Sequence, residues 1–340
     1  MAVGPEKLRW GILGAASIAR GQVAPAIRRS RNGVLEAVAS RSGPLAEQFA
    51  TEIGAVRHHA NYEALLDDEA IDAIYVPLPN SLHRDWAIRA LEAGKAVLCE
   101  KPLALSVTEA AEMFAAAERA RRPLMEAFMY RFHPQTRRVL ELLSQGAIGA
   151  PREVRVHLSV DILTGTDGSN VRFDPTLGGG SILDMGCYSV DIARMLAGRE
   201  PRLVSGWARR HETYGVDVSA AAILEFDGLV GLVSCSFEAN GNGTYSIIGT
   251  EGTIEVPRGI LPGLGDRPAE GLIIRSDRHG NRVEESIAPA DHYQLMVEAF
   301  AEAMLAGTSL PRSPEESLGT LRILEDWIRA ATSTPGTSLR

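Results

Sequence analysis

The chain has 340 residues, more than one ordinary hydrophobic core needs, and this length favours two domains of roughly 100 to 200 residues each. Apolar residues make up 45% of the sequence, but no run approaches the ~20 apolar residues of a membrane span, so we expect a soluble protein without a membrane partner. The formal net charge of -8, with no dense basic run, argues against nucleic acid as a partner.

The cysteines and the first residues indicate where the protein works. Cys99, Cys187 and Cys235 are odd in number and widely spaced, as is typical of reduced thiols. The first ten residues lack the apolar run and the small-residue cleavage site of a signal peptide. Both features favour a cytoplasmic location. The sequence contains no HExxH motif or Cys/His cluster, so we expect no metal site.

From Leu8 onward, short β-rich runs alternate with amphipathic stretches, which is the pattern of βαβ units on a parallel sheet. The β-rich runs are WGILG, VLEAVAS, DAIYVPLP, AVLCEKP and PLMEAFMY. One predicted helix covers 82–93, with Ser81 as its cap and Gly94 as its end, and a capping box of Ser106 and Glu109 begins the next. The pattern predicts an α/β Rossmann domain with a doubly wound parallel sheet over 1–130.

After Pro151 the strands follow one another with few helices between them, which predicts a large, mostly antiparallel open sheet. These runs are EVRVHLSVDI, RLVSGWARRH, DVSAAAILEF, LVGLVSCSFEAN, TYSIIGTEGTIEVP and EGLIIRSD. Helical patterns follow over 293–305 and 315–331. We therefore predict a C-terminal α+β domain over 131–314 for substrate binding and oligomerisation, with a helix over 315–332 as a candidate to pack back on the first domain.

The first strand ends in a candidate phosphate-binding turn. The segment from Gly14 to Ala19 stands where a GxGxxG fingerprint would stand, but it keeps only the first glycine. Gly14 permits a tight turn, Ala16 leaves room for a pyrophosphate, and the following helix N-terminus favours an anion. The residues predicted to hold a dinucleotide are Gly14, Ala15, Ala16, Ser17 and Ile18. The alternative is that this segment is only a packed βα turn.

The end of the second strand indicates which dinucleotide binds. NAD enzymes usually have Asp or Glu at this place for the ribose 2′-hydroxyl, whereas this chain has Ser40 and Arg41. A hydroxyl beside a guanidinium suits a 2′-phosphate, so we predict NADP(H) as the cofactor. The alternative for Arg41 is a solvated surface charge.

Several motifs, in order along most of the chain, resemble those of the Gfo/Idh/MocA oxidoreductases, the family of glucose-fructose oxidoreductase and inositol dehydrogenase. They are Glu100-Lys101-Pro102 preceded by AGKAVLC, Asn80-Ser81-Leu82-His83, GGGSILDMGCY over 178–188, and GTEGT over 249–253. Tyr130-Arg131-Phe132-His133-Pro134 further resembles the branch of D-xylose dehydrogenases, dimeric dihydrodiol dehydrogenases and ketosugar reductases.

The resemblance implies an active site. Lys101 and Tyr188 would be the general acid or base, since hydride transfer at a carbinol needs the hydroxyl proton to move as well. Asp184, four residues before Tyr188 on the same helix face, would hold a substrate hydroxyl or steady Lys101. Arg131 would complete the substrate site. Further implied cofactor contacts are Pro77, Leu78, Asn80, His83, Glu100, Lys101, Arg172 and Tyr293.

Each of these residues also has a purely structural interpretation. Tyr188 could be a core aromatic on a helix, and Asp184 could be an ordinary cap or surface acid. His83 could cap its helix, Arg172 could pair with Asp174, and Tyr293 could simply begin a helix. Lys101 and Arg131 could be solvated charges.

The function expected from the resemblance is NADP-dependent hydride transfer at a carbinol or carbonyl carbon of a sugar or polyol, as in an aldose 1-dehydrogenase of D-xylose or D-glucose type. The alternatives are an NADPH-dependent ketosugar reductase, a dihydrodiol dehydrogenase-like enzyme, and, in another class, a non-catalytic regulator that senses sugar or NADP. The runs AAAILEF and LVGLVSCSF carry apolar residues for two faces, which predicts a homodimer or homotetramer through the C-terminal sheet.

Overall fold

The computed structural model describes residues 7–264 and 267–333. The first six residues, to which part of the signal-peptide expectation applies, lie outside the described residues. The backbone contacts divide the chain into two units, and each is described by itself. The first comprises the described parts of Met1–His133, Leu264–Pro268 and Asp291–Leu318; the second comprises those of Pro134–Gly263, Ala269–Ala290 and Gly319–Arg340.

The first unit is built on a parallel sheet. Among the described residues this sheet has six strands: β1 (Leu8–Leu13), β2 (Gly33–Ala39), β3 (Arg57–His59), β4 (Ala73–Val76), β5 (Ala96–Cys99) and β6 (Leu124–Glu126). Their order is β3-β2-β1-β4-β5-β6, and every neighbouring pair is parallel. The order reverses between β1 and β4, where ligands of such sheets bind at the carboxyl ends of the strands. The predicted Rossmann fold is confirmed.

Helices connect these strands: α1 (Ala24–Arg29, after a π-helical turn at Ala19–Val23), α2 (Gly43–Ile53), α3 (Tyr62–Leu66), α4 (His83–Glu92) and α5 (Val107–Ala120). The Ser106 cap of α5 is confirmed, because its Oγ accepts from Glu109 N over 3.1 Å. The Ser81 cap is wrong. Ser81 lies inside a 3-10 turn, Asn80–Leu82, and α4 begins at His83 without a side-chain cap.

The second unit is built on a larger sheet. In sequence, α6 (Pro134–Ser144) precedes the strands of this sheet, and α7 (Cys187–Ala197) lies between the first and the second of them. Its eight strands within the described residues are β7 (Pro151–Ser159), β8 (Arg202–Arg210), β9 (Asp217–Phe226), β10 (Leu229–Ser236), β11 (Asn242–Gly249), β12 (Gly252–Val256), β15 (Gly271–Asp277) and β16 (Arg282–Ile287). The short strands β13 (Gly263–Leu264) and β14 (Arg267–Pro268) pair separately.

The strand order of this sheet is β16-β15-β12-β11-β7-β10-β9-β8, and only β7 and β10 run parallel among its described pairs. The predicted, mostly antiparallel sheet is confirmed. In β9 alternate side chains are buried, at Val218, Ala220, Ala222, Leu224 and Phe226, as one covered face requires. The sequence prediction missed β16, whose residues RVEESI are mostly exposed.

The last two helices are α8 (His292–Ala306) and α9 (Pro314–Ser333). Helix α8 belongs to the first unit, where Phe300 packs on Trp10 with ring centroids 5.2 Å apart. The division between the units falls inside α9, after Leu318. This arrangement differs from the predicted boundaries, because apolar periodicity shows that a helix has a buried face but not which sheet covers it. In the part of the chain described, no helix combines the length and apolar character needed to cross a membrane.

Candidate active site

The turn after β1 has the geometry of a dinucleotide-binding turn. Gly14 has a φ of +93°, which residues with a Cβ rarely adopt, and its N–H donates to Ala39 O over 2.8 Å. A Cβ at Gly14 would also lie 2.9 Å from Leu78 Cδ2, so the Leu78 side chain would have to move to accept one. Helical residues begin at Ser17, and a helix N-terminus at this place favours an anionic ligand.

The end of β2 presents a hydroxyl next to a guanidinium. Ser40 is 4% exposed, and its N–H donates to His59 O over 3.2 Å. Arg41 is exposed, and within residues 7–264 and 267–333 it makes no hydrogen bond or ion pair. Burial raises the pKa of the Tyr62 phenol, and the positive charge of nearby Arg41 opposes that rise. Arg41 therefore offers an uncommitted positive charge at the place where a 2′-phosphate would bind.

The segment from the end of β4 to the first residue of α4 contains four of the predicted cofactor residues. Pro77 and Leu78 are buried, and Asn80 begins the 3-10 turn. His83 is fully buried, with Nδ1 2.9 Å from Pro102 O and Nε2 2.7 Å from Leu78 O. Burial lowers the pKa of His83, although both carbonyl contacts favour the protonated ring. His83 thus joins the loops after β4 and β5, and it does not cap its helix.

The residues after β5 are held by a buried tyrosine. Tyr75 is fully buried, and its hydroxyl donates to Glu100 Oε1 over 2.6 Å. Burial and the charge of Glu100 raise the pKa of Tyr75 well above its ordinary value. The other carboxylate oxygen of Glu100 accepts from Lys101 N over 3.2 Å. Lys101 is partly exposed, at the carboxyl edge of the parallel sheet, and the Lys101–Pro102 peptide is cis.

Two further predicted residues belong to the first unit. Tyr293 is 4% exposed in the first turn of α8, and burial together with Glu100 raises the pKa of its phenol, which therefore stays protonated. Arg131 donates from Nη1 to Glu316 Oε1 over 2.6 Å, and its side chain is 15% exposed. The interpretation of Arg131 as a solvated charge is wrong.

The remaining predicted residues belong to the second unit. Asp184 lies in a π-helical turn, Ile182–Gly186, that leads directly into α7, where Tyr188 is 7% exposed. Arg172 Nε donates to Asp184 Oδ2 over 2.7 Å. The alternative pairing of Arg172 with Asp174 is wrong, because Asp174 accepts from Thr176 at the start of the next turn. The sequence alone favours Asp174 as the partner of Arg172, because Asp174 is closer to Arg172 along the chain than Asp184 is.

The residues of the first unit fit a dinucleotide that carries a 2′-phosphate. The turn at Gly14 has a positive φ that favours glycine, a helix begins directly after it, and an exposed guanidinium follows β2. These features would hold NADP(H) through Gly14, Ser17, Ser40 and Arg41, and the bound cofactor would supply or accept the hydride. Sequence reasoning missed Tyr75, because a tyrosine inside the buried strand AIYV has the pattern of a core residue.

Two family models match the chain. The one described as "Oxidoreductase family, NAD-binding Rossmann fold" matches residues 8–128, and the one described as "GFO/IDH/MocA C-terminal domain" matches residues 136–255. Together they cover most of both units.

Named relatives agree with the family models. The chain is 38% identical over 319 residues to D-xylose 1-dehydrogenase (NADP(+)) 2 of Haloferax volcanii, covering 94% of this chain and 95% of that one. It is 35% identical over 256 residues to trans-1,2-dihydrobenzene-1,2-diol dehydrogenase of Xenopus tropicalis, covering 73% and 75% of the two chains.

A solved structure gives the same result for the fold. A 3-ketoreductase from Actinomadura kijaniata, in complex with NADP and TDP-benzene, superposes with a TM-score of 0.89 at 28% identity, covering 96% of this chain and 98% of that chain. Solved variants of that reductase replace a lysine by alanine or glutamate, or a tyrosine by phenylalanine. The predicted family is confirmed: the chain belongs to the Gfo/Idh/MocA oxidoreductases, with a Rossmann domain of the NAD-binding type.

Proposed function

We propose that this oxidoreductase transfers a hydride between NADP(H) and a carbinol or carbonyl carbon of a sugar or polyol. The proposal is carried by two features that occur together in the first unit. One is the Gly14 turn, and the other is Arg41, an exposed guanidinium that makes no ion pair in the described residues. The relatives named above, a D-xylose dehydrogenase with NADP and a ketoreductase solved with NADP, support both the cofactor and the substrate class. The favoured reaction is oxidation at C1 of an aldose.

The chain's own residues supply proton transfer and substrate orientation. Lys101 and Tyr188 are proposed to move the proton of the reacting hydroxyl, since both side chains carry an exchangeable proton and the family motifs contain both. Asp184 is proposed to hold a substrate hydroxyl. Its ion pair with Arg172 fixes one carboxylate oxygen. The lysine and tyrosine replaced in the solved reductase variants support the choice of these residue types.

A substrate screen tests this function. Purified protein is incubated with aldoses and polyols plus NADP+, and with ketosugars plus NADPH, and the absorbance of the reduced nicotinamide is followed. Turnover of an aldose supports the favoured reaction, and turnover of a ketosugar alone identifies a reductase. If NADPH binds but no compound of either group turns over, the protein is a sensing regulator and the proposal fails.

Cofactor selectivity is expected to depend on Arg41. NADPH should bind much more tightly than NADH, and Arg41→Ala should reduce the difference, because a charge-assisted phosphate contact contributes about 1.5 to 3 kcal/mol, or roughly ten- to a hundredfold in affinity. Fluorescence titration of both cofactors measures the two affinities. Arg20→Ala is a matched control. Arg20 lies in the π-helical turn that follows the Gly14 turn, but its Nε is paired with Glu52 Oε2 at 2.8 Å. Equal wild-type affinities for the two cofactors would rule out the predicted role of Arg41.

The outer face of the second sheet is proposed to bind a second copy of the chain. Trp207, Ile223 and Leu232 are 45%, 39% and 37% exposed, and they line one depression on this face. Apolar side chains exposed together on a sheet are typical of an interface, and most homo-oligomers use the same patch on each subunit.

Light scattering should therefore report more than one subunit at micromolar concentration. Ile223→Arg combined with Leu232→Arg should shift the protein toward the 36.6 kDa monomer, because the interface would bury two unpaired charges from each subunit. Val283→Arg is the control, since Val283 is 51% exposed but lies on the edge strand β16. A wild-type monomer that stays active would show that this face does not mediate assembly.

A further inference from the structure

Side chains hold three successive backbone positions at the residue proposed to transfer a proton. We name Lys101–Leu103 the Lys101 turn. Its first N–H, at Lys101, donates to Glu100 Oε2 over 3.2 Å. The carbonyl of Pro102 lies 2.9 Å from His83 Nδ1, and the N–H of Leu103 donates to Glu126 Oε1 over 2.9 Å. Each backbone position of the turn is thus fixed by a side chain from outside it.

The contact to Glu126 depends on a residue far along the chain. Arg312 donates to Glu126 Oε2 from Nη2 over 3.0 Å and from Nε over 3.2 Å. Its Nε also lies 3.0 Å from Ser317 Oγ, and its guanidinium lies over the Phe128 ring, 4.7 Å from the centroid. Arg312 therefore occupies one oxygen of the carboxylate, and the other oxygen accepts from the Lys101 turn.

This ion pair is almost completely buried. The side chains of Arg312 and Glu126 are 2% and 1% exposed. Taking two charges out of water is costly, and apolar residues of similar volume would be about as stable in the same place. What an apolar pair cannot supply is an acceptor with a fixed direction for the N–H of Leu103.

We propose that Glu126 is a positioning residue for Lys101, and that Arg312 serves as the counter-charge of its buried carboxylate. Arg312 fixes the Glu126 carboxylate, the carboxylate fixes Leu103 N, and the Lys101 turn then holds the lysine in one place. Neither residue needs to touch substrate or cofactor. The proposal rests on the proposed function only in taking Lys101 as a proton-transfer group.

Two double variants test this without leaving a buried charge unpaired. Glu126→Gln with Arg312→Met keeps a carbonyl oxygen for Leu103 N. Glu126→Leu with Arg312→Met removes the acceptor but keeps an apolar side chain over Phe128. The two proteins differ only in residue 126, so the comparison isolates the hydrogen bond to the Lys101 turn.

The catalytic measurement separates positioning from general stability. We expect the Leu-Met variant to lose at least about tenfold in kcat, because small displacements of a reacting group are costly, while the Gln-Met variant stays within about threefold of the wild type. The affinity for NADPH and the KM should change little in either variant, and melting temperatures show whether both are folded.

A second readout follows Lys101 directly and does not depend on activity. The sequence contains three lysines, Lys7, Lys95 and Lys101, so reductive ¹³C-methylation gives few NMR signals, and each can be assigned by a Lys→Arg variant. We expect the Lys101 signal to move or broaden in the Leu-Met variant and to stay in place in the Gln-Met variant. The Lys7 signal is the internal reference.

Equal kcat values in the two variants, or losses that follow melting temperature alone, would overturn the proposal. If the wild type turns over no sugar, the proposed function fails and the NMR comparison decides the positioning proposal by itself. An unchanged Lys101 signal in the Leu-Met variant would then refute it.

Discussion

Lys101→Met and Tyr188→Phe are each expected to lower kcat by about 10² or more, the usual range for loss of a general acid or base. Both substitutions keep most of the side-chain volume and remove the exchangeable proton. NADPH binding should survive both, because the phosphate contacts are assigned to the Gly14 turn and Arg41. Initial rates on the best substrate of the screen measure the loss, and fluorescence titration measures cofactor binding.

The double variant distinguishes one proton-transfer unit from two independent residues. If Lys101 and Tyr188 act on the same hydroxyl proton, the combined loss should be far smaller than the product of the single losses. Lys7→Met and Tyr214→Phe are the matched controls, since Lys7 is exposed and Tyr214 lies in a turn of the second unit. Near-normal turnover in either single variant would refute the assigned mechanism.

Acidification is expected to destabilise the first unit through two buried histidines. His133 and His292 are 1% and 2% exposed, with ring centroids 6.0 Å apart, and within the described residues neither ring nitrogen of His292 has a hydrogen-bond partner. Burial lowers the pKa of His133 to about 4. Burial and the neighbouring His133 lower the pKa of His292 to about 4 against the opposing charge of Asp291.

The sign of the effect follows from these pKa values. The unfolded chain takes up protons below about pH 6.5, whereas the folded chain resists protonation until about pH 4. The part of the free energy of unfolding that depends on these groups is fully present above about pH 6.5. It decreases as the pH falls from about 6.5 to about 4. By pH 5 the expected loss is about 2 kcal/mol for each histidine.

Urea unfolding at pH 7.5 and pH 5 measures this loss. His292→Leu should reduce the difference between the two pH values by about 2 kcal/mol, because the variant has no proton to take up at this position. His279→Gln is the control, since His279 is exposed in a turn and meets solvent in both states. A wild-type difference that His292→Leu leaves unchanged would assign the acid sensitivity to other groups.

The parts of the fold that repeat locally could be predicted from the sequence. Alternation of apolar runs with amphipathic stretches predicted the parallel sheet, and strands at hairpin spacing predicted the antiparallel one. β16 could not be recognised, because an exposed edge strand lacks the apolar alternation on which such a prediction depends. The sequence predicts Ser81 as a cap because a serine before an apolar helix normally is one, whereas here a 3-10 turn precedes α4.

The residues of the candidate site also fall into two groups, those that the sequence pattern indicates and those that it does not. Gly14, Ser40, Arg41 and Lys101 lie at the ends of strands, where the sequence pattern itself indicates ligand binding. The residues that support them come from distant parts of the chain: Arg312 is 186 positions from Glu126, and Tyr75 is 25 positions from Glu100. No local pattern connects such partners, so these contacts appear only once the chain is folded.

The central claim is that the protein transfers a hydride between NADPH and a sugar carbon. Its most direct test is incubation with NADPH deuterated at C4 of the nicotinamide, as separate 4R and 4S isotopomers, together with the carbonyl form of the best substrate. Mass spectrometry of the sugar product should show one deuterium from one of the two isotopomers, bound to carbon. A product that carries no carbon-bound deuterium from either isotopomer, although NADPH is consumed, would contradict the account.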